Sequence, residues 1–78
     1  YNNFTLRLKE QFPSFTNNDL QVCCLIKLRI TVSDIAKILN ISPASVSKRK
    51  QRIKEQIIKE LGDNFDKSQL IDIWIWEY

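Results

Sequence analysis

Apolar residues along the chain recur mainly at three- and four-residue intervals, the spacing that gathers side chains on one face of an α-helix. Phe4, Leu8 and Phe12 form the first row. Pro13 ends it, because proline has no amide to donate and its ring clashes with a preceding helical turn. Thr16 followed by Asp19 has the form of a reciprocal N-terminal cap. Leu20, Cys23, Cys24 and the run from Ile26 to Leu28 then predict a second helix ending near Arg29. Thr31 with Asp34 repeats the capping signal ahead of Ile35, Ala36, Ile38 and Leu39, a third helix of about two turns. Asn40, which tolerates left-handed backbone, stops it.

Only Asn40, Ile41 and Ser42 separate this helix from the next. Ser42 suits the N-cap and Pro43 the first helical position, where a missing N–H costs nothing. A fourth helix from Pro43 to Leu61, stopped by Gly62, spans roughly 28 Å and is the longest element predicted. Asp66 with Gln69 marks the start of a final helix through Ile71, Ile73, Trp74, Ile75 and Trp76. Ile and Trp are also frequent in strands, so a strand stays open for this last run. As a helix it carries two apolar rows, Leu70 with Trp74 and Ile71 with Ile75. These are expected to pack on the first helix and on the far end of the fourth, with surplus apolar surface available for a homodimer contact.

The pattern predicts an all-α fold: a helix-turn-helix bundle of about four to five helices, with extra N- and C-terminal helices, in a single domain over residues 1–78. One Gly and two Pro supply little turn material for a sandwich or barrel, and 78 residues bury no more than one core. No apolar run reaches the length of a membrane span, and the start Tyr1-Asn2-Asn3 lacks the features of a signal peptide, so a soluble, cytoplasmic domain without membrane contact is expected. The chain begins without Met, as expected of a piece of a longer protein or a trimmed chain.

The chemistry on offer is narrow. Cys23 and Cys24 are adjacent, about 100° apart on a helix, which disfavours a mutual disulfide or a joint metal site and suits small buried hydrophobes. The chain has no His, no Gly-rich phosphate loop and no Ser or Cys beside an evident base. Neither an enzyme nor a cofactor or metal site is expected.

Charge is more informative in its distribution than in its net value of +3. Residues 43–54 hold Lys48, Arg49, Lys50, Arg52 and Lys54 and no acid, whereas the chain beyond them is acidic. With Ala44 set at zero and about 100° per residue, Lys48, Gln51 and Glu55 fall within about 40°, Arg52 at about 80° and Ser47 at about −60°. Val46, Ile53 and Ile57 fall opposite, at about 200°. One face of the helix can therefore pack, and the other is polar, small near its start, and basic. Such a face suits insertion of a helix N-terminus into the major groove of DNA.

At these residues the sequence resembles a known family. The stretch from Thr31 to Val46, with Phe15-Thr16 and Val22-Cys23 ahead of it, is similar to the C-terminal DNA-binding domain of LuxR/GerE-type transcription regulators, over about residues 15–61. Ile35-Ala36, Leu39, Ile41-Ser42-Pro43, Ser45-Val46 and Ile53 carry the resemblance. It implies a four-helix domain whose helix after Pro43 enters the major groove of double-stranded DNA, linked to a sensor domain elsewhere in a longer protein. Ser45 falls where the family has a phosphate-contacting Thr, and Ser47, Lys48 and Gln51 where it contacts bases. Three positions depart from the family pattern: Arg29 stands for a usual Gly, Arg49 for a common His, and Lys50 for an apolar residue at the edge of the core face. Lys50 can bury its stem and still reach a phosphate. The expected DNA-binding set is Ser45, Ser47, Lys48, Arg49, Lys50, Gln51 and Arg52. The alternatives are a sigma factor region-four type domain, or a protein-interaction module on the helix-turn-helix scaffold that docks a partner through the fourth helix or the C-terminal Trp/Ile segment with Trp74 and Trp76.

Overall fold

The structure, a computed structural model, describes residues 2–78; of the expected domain 1–78, Tyr1 lies outside the described residues. Among them five α-helices follow in order, α1 (Asn2–Gln11), α2 (Asn17–Lys27), α3 (Val32–Leu39), α4 (Pro43–Leu61) and α5 (Ile71–Glu77), with a short 3-10 turn over Gly62–Asn64. There is no strand among the described residues, so the run from Ile71 to Trp76 is helical. No helix among them is long and apolar enough to cross a membrane.

Local side-chain chemistry sets most of the boundaries. The Asp19 amide donates to Thr16 Oγ1 at 3.2 Å while Asp19 Oδ2 accepts from the Thr16 amide at 2.9 Å, completing the reciprocal cap of α2. At α3 only half of that arrangement forms: the Asp34 amide donates to Thr31 Oγ1, and the exposed Asp34 carboxylate does not return a bond to the Thr31 amide. Ser42 caps α4 through the Ser45 amide, and Asn40 takes the left-handed conformation, φ 56° and ψ 46°, that closes α3.

The buried face of α4 consists of Val46, Ile53 and Ile57, all fully inaccessible. They join Val22, Cys23, Ile26, Ile35 and Ala36 from α2 and α3, and Phe4, Leu8, Phe12 and Phe15 from the N-terminal segment. Leu20 of α2 and Leu39 of α3 lie half-buried, packed against this core at its rim. Between α1 and α2, the Lys9 ammonium donates to the Pro13 and Phe15 carbonyls at 3.1 and 2.7 Å, satisfying acceptors where Pro13 has broken the helix.

The last helix departs from expectation in both start and seat. Asp66 does not cap a helix with Gln69. Its Oδ1 instead accepts from the Ser68 amide at 3.0 Å and the Ser68 hydroxyl at 2.6 Å, a turn closed two residues on, and α5 begins only at Ile71. Those bonds also hold the Asp66 carboxyl below its usual range. Gly62, at φ 56° and ψ −126°, turns the chain back in a conformation that L-residues rarely adopt, although no atom lies within 4 Å of where a Cβ would sit. The chain therefore returns along the bundle: α5 packs on α2, Tyr78 just after it meets α1 at Phe4, Arg7 and Gln11, and Asp72 meets the middle of α4 at Lys50 rather than its far end. Ile71 and Ile75 form its core row, whereas Leu70 is 65% exposed.

Trp76 fastens α5 to the end of α2. Its indole N–H donates to the Ile26 carbonyl at 2.8 Å, and the Lys27 ammonium donates to the Trp76 carbonyl at 2.8 Å. Arg29 lies over the Trp76 ring at 4.5 Å. Arg29 also has a left-handed φ of 62°, in a helix ending closed by its own amide to Ile26 O and the Ile30 amide to Leu25 O. Trp74 contacts Phe12, Phe65 and Tyr78, so both Trp rings are drawn into the fold.

Arg29 thus combines an unfavourable backbone with a favourable ring contact. Arg29→Ala keeps the strain and loses the contact, whereas Arg29→Gly loses the contact but relieves the strain. Urea unfolding should place the Gly variant above the Ala variant by about 1 kcal/mol. Equal stabilities, or the reverse order, would contradict this account of the α2 terminus.

Candidate nucleic-acid interface

The turn over residues 40–42 fixes how α4 leaves α3. The Ile41 amide donates to Ala36 O at 3.0 Å, the Asn40 amide to Lys37 O at 3.3 Å, and the Val46 amide to Ser42 O at 3.2 Å. With the turn closed and Val46, Ile53 and Ile57 buried, rotation of α4 about its axis is fixed. Ala44, Ser47, Lys48, Gln51, Arg52 and Glu55 then face outward, in agreement with the helical wheel.

The seven expected site residues differ in how free they are. Ser47 and Lys48 are exposed, and neither has an ion-pair or hydrogen-bond partner among the described residues. Arg49 is half-buried on the flank towards the core. Gln51 is exposed, with its amide nitrogen 3.4 Å from Glu55 Oε1. Ser45 is half-buried, and its hydroxyl lies 3.0 Å from that of Ser42. The remaining two cations are tethered, one on each flank of the helix. Arg52 lies 3.5 Å from Asp19, with 57% of its side chain exposed against 3% for the aspartate. Lys50 pairs with Asp72 of α5 at 2.7 Å, its side chain only 17% exposed. The expected burial of the Lys50 stem is seen, and its ammonium is directed to a carboxylate of the same chain.

Two partners of this surface, Asp19 and the start of α5, escaped the sequence reading. Asp19 reads as a cap and is also a ligand of Arg52. Lys54 and the start of α5 complete a shallow groove of about 210 Å³, lined by Ser47, Lys50, Gln51 and Lys54 on one side and Leu70, Ile71 and Asp72 on the other. Lys54 was visible in the basic stretch; the contribution of α5 depends on the reversal at Gly62 and has no local signal.

Behind this surface lies the Cys23 thiol, which burial above all, helped by the nearby Asp19 and Cys24, pushes up to about 12. Burial also raises Cys24. Such thiols stay protonated near neutral pH and are poor nucleophiles. Among the described residues no group of three or more His, Cys, Asp or Glu is placed to hold a metal ion. The exposed chemistry is therefore hydrogen bonding and positive charge on one helix face. Comparison with models of known protein families, with curated proteins and with solved structures finds no match.

Because the folded Cys23 value lies above the ordinary 9.0, the unfolded chain loses this proton first as pH rises. The contribution to stability is intact below pH 9.0 and is lost on going up towards 12. Relative to Cys23→Ala, the parent should lose about 1.4 kcal/mol per pH unit in that window, measured by urea unfolding under reducing conditions. Parallel pH profiles for the two proteins would show that the thiol ionises as readily folded as unfolded.

Proposed function

We propose that this domain binds double-stranded DNA as a helix-turn-helix transcription regulator of LuxR-like type, with α3 and α4 as the motif and the start of α4 in the major groove. The observation that carries this reading is the outward face of α4: Ser47, Lys48 and Gln51 stand clear of the core, in a stretch of five cations and no acid, beyond a three-residue turn. Small residues at positions 44, 45 and 47 permit close approach of the backbone to base edges, and the longer side chains reach further. Lys48, Gln51 and Arg52 are assigned to bases, and Ser45, Arg49 and Lys50 to phosphates. A Gln amide offers donor and acceptor together, which suits the N6 and N7 edge of adenine.

The competing reading, a protein-docking module built on the C-terminal Trp pair, has less support. Trp76 spends its N–H on Ile26 O and its face on Arg29, and Trp74 sits among Phe12, Phe65 and Tyr78. Rings engaged in this way, each half-buried, leave less of their surface for a partner. A cytoplasmic location and a linked sensor domain accompany the DNA-binding proposal.

Binding of a labelled duplex should weaken steeply as salt is raised from 50 to 200 mM, because phosphate neutralisation releases counterions. Gln51→Ala should relax sequence preference, costing about 1–3 kcal/mol on a preferred site and little elsewhere. Arg49→Ala should weaken all sequences alike and reduce the salt slope by about one. Salt-insensitive binding, or parent-like behaviour of both variants, would remove this face from the interface.

A further inference from the structure

The pair between Lys50 and Asp72 joins two parts of the chain that have no local reason to meet. On the wheel used above Lys50 lies at about 240° and Gln51 at about 340°, with Lys54 and Ser47 between them. Lys50 therefore marks one flank of the outward face. When the Gln51 side of a helix points at base edges, its flanks run beside the sugar–phosphate strands that bound the groove. In the free domain that flank is occupied. Asp72 Oδ1 sits 2.7 Å from the Lys50 ammonium, and the side chains are 17% and 30% exposed, so the pair is partly withdrawn from water. Leu70, 65% exposed, forms the lip of the same groove.

The start of α5 is seated by the buried Ile71, which leaves the neighbouring Asp72 half-buried at the surface. Leu70 occupies the N-cap and supplies no side-chain bond to the free amides of the first turn. The other end is fixed by the buried Ile75, by the Trp76 indole on Ile26 O and by Lys27 on Trp76 O. Release of Lys50 therefore needs only a rotation of the half-buried Asp72 side chain, with the α5 backbone held at Ile71 and at Trp76.

We propose that Asp72 is an intramolecular stand-in for a DNA phosphate: it holds Lys50 in the free domain, competes with duplex for it, and so restrains binding by the α4 face. The inference rests on the DNA-binding reading above and concerns how that same face is regulated. On binding, Lys50 exchanges one anionic oxygen partner for another, and the Asp72 side chain turns away.

The test is fluorescence anisotropy with a short labelled duplex across a salt series, using the parent, Asp72→Asn, Lys50→Ala and the double variant. Asp63→Asn serves as a control with the same change in charge on an exposed residue away from the pair. Asp72→Asn should bind about three- to tenfold tighter than the parent, the range expected from removing one partly covered ion-pair competitor. Its salt slope should stay close to the parent's, because Lys50 ends on a phosphate in both complexes and only the competing partner in the free domain is removed. In the Lys50→Ala background the same substitution should change affinity less than about twofold, as should Asp63→Asn in the parent. Thermal melts report whether each variant is folded, and Asp72→Ser, which suits a helix start, repeats the experiment if the Asn variant is unstable. Parent-like binding by Asp72→Asn overturns the proposal, and so does an equal gain with or without Lys50, which would reflect net charge alone. Absence of duplex binding by parent and variants alike at low salt would instead reject the DNA-binding reading, and this inference with it.

Discussion

Burial of Val46, Ile53 and Ile57 on one side of α4 is the constraint on which the remaining geometry depends. A helix of 19 residues can be rotated about its axis at little cost until an apolar stripe has to be hidden, and these three residues are fully inaccessible. At about 1.5–3 kcal/mol for each large aliphatic side chain taken from water, before entropy is counted, their joint burial outweighs any single surface contact on the opposite face. The side of α4 that carries Ser47, Lys48 and Gln51 is turned outward because the other side must be inward. The core thus determines which cations remain available, and the basic stretch need not contribute to folding.

A second constraint is closure of the bundle by α5. The helix has seven residues, too few to persist alone, and it is held by what it covers. Ile71 and Ile75 complete the core, and Trp76 ties the helix to the last turn of α2 at the point where Arg29 has taken a left-handed backbone. Few side chains other than Gly, Asn and Asp tolerate that conformation, and here the guanidinium lies on an indole face that gives it an attractive partner. The same closure brings Asp72 beside Lys50. A contact made to finish the core therefore reaches the surface proposed to bind DNA.

The helices and their caps were largely legible in the sequence because their causes are local. Thr16, Thr31, Ser42, Asn40 and Gly62 act on amides or backbone angles within a few residues, and the helical period of the apolar positions fixes the faces. The failures arose where local chemistry has two outcomes or where the chain returns from a distance. Asp66 followed by Gln69 has the spacing of a cap, but the intervening Ser68 takes the Asp66 carboxylate and closes a turn. Leu70 belongs to an apolar row by spacing and lies outside the core, because α5 is seated on α2 with Ile71 and Ile75 inward. Within the candidate site, the outward direction of Lys48 and Gln51 followed from periodicity. The tethering of Arg52 by Asp19 and of Lys50 by Asp72 did not, since each partner lies on another helix, far away along the chain. The departure at Arg29 was visible as a residue standing for a usual Gly, and its compensation by Trp76 required the fold.

The central claim is that the outward face of α4 reads duplex sequence, and selection from a pool of random DNA duplexes tests it most directly. Repeated rounds of binding and amplification with the intact domain at moderate salt should enrich a short motif containing at least one preferred adenine, and that preference should weaken when selection is repeated with Gln51→Ala. A pool that remains random after several rounds, or a motif unchanged by loss of Gln51, would contradict the account.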